Sequence, residues 1–231
     1  MKNKIGIILY ARMSSKRLEG KVLRKINNKC LLEIVYDRLK IKFSNNFIIV
    51  NTSTNSSDDK IVNFCKKKNI KYFRGSLKNV FKRTVDCCVK FKFKYFARIC
   101  CDRPILDVDM VKLMFKKILN DKHGYDIITN QFPMNAPKGL VCEIAKFSIF
   151  KKINFKNLNN NDKEHIFNFF YRNQKKYKIL NIQKKYYKKL INKNFAIDTV
   201  EDLNRFKQIF ERINYNFLLP TRSIIKKINT V

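Results

Sequence analysis

The sequence predicts an α/β protein with a mostly parallel central sheet flanked by helices. Short apolar runs rich in β-branched residues recur along the chain, as expected for strands buried on both faces. Segments with helical apolar spacing separate them. Such alternation builds a sheet through right-handed crossovers.

The elements follow in chain order. IGIILYA (5–11) is the first strand and LLEIVYDRLKI (31–41) the first helix. FIIV (47–50) is a second buried strand. DDKIVNFCKKK (58–68) is a helix preceded by Ser56 and Ser57, both good N-caps. NVFKRTVDCCVKF (79–91) is a helix with Val80, Phe81, Val85, Cys88 and Val89 on one face. YFARIC (95–100) is a third strand, and VDMVKLMFKKIL (108–119) a helix that turns Val111, Met114, Phe115, Ile118 and Leu119 inward. YDIITN (125–130) is a strand, and GLVCEIAKF (139–147) alternates enough to be an antiparallel one. DKEHIFNFFYRN (162–173) reads as one helix, YKILNIQ (177–183) and KNFAID (193–198) as strands. VEDLNRFKQIFERI (200–213) is a helix that stacks Leu203, Phe206, Phe210 and Ile213. The Asn-rich stretch 154–162 is a loop. With no repeat and no linker composition, one domain is expected over 1–213, followed by a C-terminal tail, 214–231.

A chain of 231 residues can bury a full core. No apolar run approaches the ~20 residues that span a bilayer. The basic start and short apolar run at the N-terminus read as a strand rather than a signal segment. The expectation is a cytoplasmic protein without a membrane partner. The seven cysteines form no CxxC pair, which excludes a zinc pattern or a disulfide framework and leaves reduced, buried, small apolar residues. The formal net charge of +33 suggests a basic nucleic-acid-binding module. Against it, Lys, Asn, Ile and Phe, all residues of AT-rich codons, are over-used together, and the lysines are scattered. No specific nucleic-acid partner is expected.

Chemistry concentrates in three places. ARMSSKRLEGKVL (11–23) leaves the first strand and gathers Arg12, Lys16, Arg17 and Lys21 around two serines and Gly20. In an open α/β sheet, ligands bind beyond the carboxyl ends of strands. There, backbone N–H groups and cationic side chains can neutralise a polyanion such as a triphosphate, with arginines chelating and Lys21 a point charge. A solvated surface loop is the plain alternative, since the spacing is not that of a P-loop. In RICCDRPILD (98–107), Asp102 ends a strand, where a carboxylate can hold Mg²⁺ or simply make a turn. In FAIDTVEDL (195–203), Asp198 is a second such carboxylate; Asp198 or Thr199 also fits an N-cap, with Glu201 or Asp202 completing a capping box.

Together these segments resemble the cytidylyltransferase family that includes spore-coat polysaccharide biosynthesis proteins, with CMP-Kdo and CMP-sialic acid synthetases as wider relatives. ARMSSKRLEGKVL is similar to the family's ARMxSxRLPGKVL. NTSTNSSDDKIV (51–62), YFRGSLKNVFKR (72–83), RICCDRPILD, KGLVCEI (138–144), KEHI (163–166) and AIDTVEDL (196–203) match further family segments in the same order. The resemblance implies a Rossmann-like nucleotidyltransferase fold and a Mg²⁺-dependent enzyme that transfers CMP from CTP to a sugar. It places Ala11, Arg12, Ser14, Ser15, Arg17 and Lys21 on the CTP triphosphate. It also places Thr52, Ser53, Arg74 and Ser76 on the nucleotide side, and Glu143, Glu164 and His165 nearer the sugar. Asp102 and Asp198 match the family's metal-binding aspartates. Arg12, Lys21, Asp102 and Asp198 then carry the catalysis. An acidic sugar needs a cation, and Lys138 and His165 are the candidates. Relatives are commonly homodimers, and a homodimer is expected here.

Three positions depart from the family pattern: Glu19 replaces a proline, Cys101 a glycine and Val141 an aspartate. Three alternatives stay open, one of them a degenerate, inactive relative, given Cys101 and Val141. Another is a different nucleotide-sugar enzyme on the same fold, such as a glycosyltransferase. The third is the basic nucleic-acid-binding module.

Overall fold

A computed structural model describes residues 4–228. β1 (Ile5–Tyr10) runs through the middle of the sheet with its interior residues fully covered. Because side chains alternate across a strand, Ile7 and Leu9 enter one apolar cluster and Ile8 the other, so the sheet separates two cores.

After β1, a basic loop leads to a short hairpin, β2 (Lys25–Ile26) and β3 (Lys29–Cys30), and then to α1 (Leu31–Lys40). β4 (Ile48–Ser53), α2 (Asp59–Lys67), β5 (Tyr72–Gly75), α3 (Val80–Lys90) and β6 (Tyr95–Cys100) follow in strand–helix alternation. Then come α4 (Val108–Leu119), β7 (Ile127–Thr129), β8 (Glu143–Lys146) and α5 (Phe147–Lys151). Two short helices, α6 (Asn160–Glu164) and α7 (Asn168–Arg172), lead to β9 (Ile179–Asn181), α8 (Val200–Glu211) and α9 (Thr221–Ile228).

The seven strands of the main sheet stand in the order β5-β4-β1-β6-β8-β7-β9. Every pairing is parallel except those of β8, which runs antiparallel to both β6 and β7. The antiparallel strand expected near 139–147 is therefore present. β1 lies between β4 and β6, so the chain winds outward from it in both directions. The carboxyl ends of β1 and β6 form the crevice where such sheets bind ligands.

Several expectations are corrected. Residues 193–198 form no strand; they make a single bridge, Lys138 to Asn194, because their backbone bonds to residues 138 and 102, outside the named strands, rather than to a sheet edge. The segment 162–173 is two helices, broken at His165, whose φ of −105° and ψ of 84° leave helical space. β5 was not expected as a strand; all its residues are half-buried, so it lacks the apolar run that marks its neighbours. Ser56 and Ser57 do not cap α2. Asn55 accepts from the Ser57 N–H and opens a 3-10 turn that leads into the helix. On α3, Val89 is exposed, and Arg83, Thr84 and Cys87 are buried instead. Beyond residue 213 the chain stays on the main core: Ile224 and Ile225 are buried, and Arg38 donates to the carbonyls of Phe217 and Leu219.

All seven cysteines are free, six of them buried. No helix among the described residues is long and apolar enough to cross a membrane.

Candidate active site

The loop after β1 is shaped by its backbone. Ser15 and Gly20 both donate to the Met13 carbonyl, which curls residues 13–20 into a compact turn. Gly20 sits at φ 64°, a left-handed conformation that glycine adopts freely. It opens a 3-10 turn, Lys21–Leu23, and so delivers Lys21 below the end of β1. Asp58 pins the loop from the side: fully buried, it accepts from the Met13 N–H and from both the N–H and the hydroxyl of Ser53.

Lys21 is the centre of the site. Its ammonium donates to Asp102 Oδ2 at 2.7 Å, to Asp198 Oδ1 at 3.0 Å and to the Ile197 carbonyl at 3.2 Å. The two strand-end acids are thereby brought to one cation. The segments carrying them are stitched together by the Ile197 N–H, which donates to the Asp102 carbonyl at 2.9 Å. Asp198 is free for this because Thr199 caps α8, and Asp202 completes the capping box. Asp198 also accepts from Lys138 at 2.5 Å and faces Arg17 at 3.1 Å. Burial alone would raise the Asp198 carboxyl. Hydrogen bonds and charge from Lys138 and Lys21 outweigh that and hold it at about 2. The Lys21 ammonium is likewise desolvated, yet the two acids keep its pKa above the ordinary lysine value.

Gly139 places Lys138. At φ 91° its backbone lies so close to residue 195 that an added Cβ would fall 2.2 Å from the Phe195 carbonyl carbon. That approach lets the Phe195 N–H donate to the Lys138 carbonyl at 2.7 Å.

A cleft of about 1200 Å³ opens above these residues. Ala11, Arg12, Ser14, Ser15 and Arg17 form its loop wall, and Lys21, Asp102 and Asp198 line its floor. Glu164 and His165 reach it from the end of α6, where Arg12 meets Glu164 at 2.7 Å. This bond leads the causes that lower the Glu164 carboxyl. The helix break at His165 turns that corner toward the cleft.

The other expected residues do not themselves line the cleft. Ser53 is held by Asp58, and Arg74 donates to the carbonyls of Ser53 and Asn55. Thr52 is fully buried, and Ser76 accepts from the Asn79 N–H at the start of α3. Lys138 is spent on Asp198. Glu143 lies behind the cleft, where it accepts from Arg98 at 2.6 Å and from the Tyr171 hydroxyl at 2.8 Å. Of the departures from the family pattern, Cys101 and Val141 are both buried in the core.

Residues that the sequence did not single out also line the cleft: Tyr10, Arg83 and Arg98. Arg98 and Tyr10 belong to strands that end at the site, which is the signal that could have marked them.

Asp102 and Asp198 are the residues that could hold a hard divalent cation. Two carboxylates converge, and oxygen ligands of this kind hold Mg²⁺ together with substrate phosphates and water. Among the described residues no group of three or more His, Cys, Asp or Glu could hold a metal on its own, so phosphate oxygens and water must complete any such site.

Comparison with known proteins shows the family. The cytidylyltransferase family model matches residues 5–224. An uncharacterized protein of Methanocaldococcus jannaschii is 30% identical across 98% of this chain and 94% of its own length. The spore coat polysaccharide biosynthesis protein SpsF of Bacillus subtilis is 26% identical across 91% of this chain and 88% of its own length. Among solved structures, a cytidylyltransferase from Leptospira borgpetersenii superposes with a TM-score of 0.91 at 25% identity, covering 98% of this chain and 94% of its own.

Proposed function

The chain belongs to the cytidylyltransferase family, and from that premise we propose that it transfers CMP from CTP to a hydroxyl of an acidic sugar and releases pyrophosphate. The observation that carries the proposal is the convergence of Asp102 and Asp198 on Lys21, at the floor of a cationic cleft beyond the carboxyl ends of β1 and β6. The likeness to a spore coat polysaccharide biosynthesis protein supports a sugar acceptor destined for a surface glycan. The cleft's charge supports an anionic substrate pair: seven lysines and arginines line it against four aspartates and glutamates.

In this reading the loop wall binds the triphosphate. The Arg12 and Arg17 guanidiniums and the Lys21 ammonium take its oxygens. The sugar hydroxyl attacks the α-phosphorus and releases its proton to water, the bond from the α-phosphorus to the β-phosphate oxygen breaks, and pyrophosphate leaves. No side-chain nucleophile is needed, because positioning and electrostatic stabilisation supply the rate in phosphoryl chemistry. Lys21 and the arginines stabilise the negative charge that develops on the departing pyrophosphate. Asp102 and Asp198, both strand-end carboxylates, would hold Mg²⁺; when bound, it supplies further neutralisation of phosphate charge. Asp198 is ready for that role at neutral pH because its neighbours keep it ionised.

The test is pyrophosphate release from each of the four nucleoside triphosphates, with Mg²⁺, against a panel of acidic and neutral sugars. Release from CTP alone, dependent on an acidic sugar, is the expected result. Release without CTP, or none with any pair, contradicts the proposal.

A further inference from the structure

We propose that Arg83 binds a substrate oxyanion on the inner wall of the cleft, either a phosphate of the nucleotide or the carboxylate of the sugar. The identity of those two sources rests on the proposed function; oxyanion binding itself rests on the geometry alone.

The other cations of the cleft are already compensated or solvated. Arg12 pairs with Glu164, Arg17 with Asp198, Lys21 with both strand-end acids, and Arg98 with Glu143. Lys16 and Lys78 are exposed to water. Arg83 is neither. It lines the cleft yet is 2% exposed, and no carboxylate lies within ion-pair distance of it among the described residues. Among the described residues its side chain makes one hydrogen bond, from Nη1 to the Ser76 carbonyl at 2.7 Å, and its buried Nε has no partner. Asp58 is close enough to feel the charge, but it is committed to Met13 and Ser53.

A buried guanidinium facing only a carbonyl is costly, because desolvation is not offset by an opposite charge. Burial accordingly lowers its affinity for the proton. The cost is removed when an anion enters.

Two neighbours shape the surroundings of Arg83. Thr84 spends its hydroxyl proton on the Val80 carbonyl, so the Tyr10 hydroxyl must donate to Thr84 at 2.7 Å. Tyr10 therefore offers the cleft no proton, while Arg83 lines the cleft with donor capacity to spare. Gly75 gives Arg83 its path: a Cβ there would fall 2.7 Å from Arg83 Cγ.

The competing explanation is a brace for the loop at Ser76. The two differ in what substitution does. In the ligand-free protein, Arg83→Met removes an uncompensated charge, so its Tm is expected to match or exceed that of the wild type. Inorganic pyrophosphate and CTP are the phosphate probes, read by titration calorimetry; the carboxylate arm is the KM for the acidic sugar. A loss of about tenfold or more in affinity for pyrophosphate and CTP supports the proposal and assigns a phosphate. Unchanged phosphate affinity with a KM for the sugar raised about tenfold supports it and assigns the carboxylate. Affinities and KM all within twofold of wild type, with a lowered Tm, are the result of a brace and overturn it. The same values with an unchanged Tm overturn it too. Should Arg83→Met fail to fold, Arg83→Lys decides, since it keeps the charge and loses the planar fork. Weakened binding in either arm then supports the proposal, and wild-type binding in both overturns it. A wild type that binds pyrophosphate but turns over no CTP refutes the proposed function and leaves the Arg83 inference standing.

Discussion

Lys21 Nζ donates to Asp198 Oδ1 at 3.0 Å, although 177 residues separate them in sequence. The same nitrogen holds Asp102. This cation is what lets two carboxylates share the floor of the cleft. Lys21→Met leaves both acids facing each other without it, which lowers Tm. It also removes a triphosphate contact, so CTP affinity falls at least about tenfold. Thermal melts and CTP titration of the same variant check both effects.

The depressed Asp198 carboxyl predicts a particular acid response. An unfolded aspartate titrates near ~3.9, and in the folded protein Asp198 is held at about 2. Its contribution to stability is therefore complete above about pH 4 and is lost as pH falls toward 2. Melting temperatures across that window are expected to fall less steeply for Asp198→Asn than for the wild type. Activity between pH 6 and 9 should show no ionisation from Asp198.

Two glutamates predicted near the sugar have different structural roles. Glu143 is 2% exposed and bonded to Arg98 and Tyr171, so Glu143→Gln breaks a buried pair and costs about 3–5 kcal/mol. Glu164 meets Arg12 at the surface, so Glu164→Gln costs at most about 1 kcal/mol. Urea unfolding of the two variants measures the contrast.

Gly139→Ala tests the close approach under Lys138. The positive φ and the 2.2 Å overlap with Phe195 force the backbone to move. A destabilisation above about 1 kcal/mol is expected, together with reduced turnover, because the Lys138–Asp198 contact shifts. Gly124→Ala, also at positive φ but in open surroundings, is the control: it should lose stability without losing turnover.

Much of the architecture was legible because strands buried on both faces leave continuous apolar runs, as in IGIILY and YFARIC. β5 was not, because its residues are half-buried and mix Tyr72, Phe73 and Arg74 without a run. KNFAID resembled a strand because its apolar residues pack beneath the site, and nothing local shows that its partner is residue 138 rather than a sheet edge. The floor of the cleft could be expected because Asp102 and Asp198 follow recognisable segments. The inner wall could not. Arg83 lies on an amphipathic helix where a lysine or arginine normally faces water, and only the tertiary packing buries it. The pairing of Glu143 with Arg98 was not legible either, because it comes from the β6–β8 register.

The most direct test compares the wild type with Asp102→Asn and Asp198→Asn in Mg²⁺-dependent pyrophosphate release from CTP, with circular dichroism to confirm the fold. The account predicts folded variants whose turnover falls by about 10²–10³-fold. Folded variants that release pyrophosphate at the wild-type rate would contradict it.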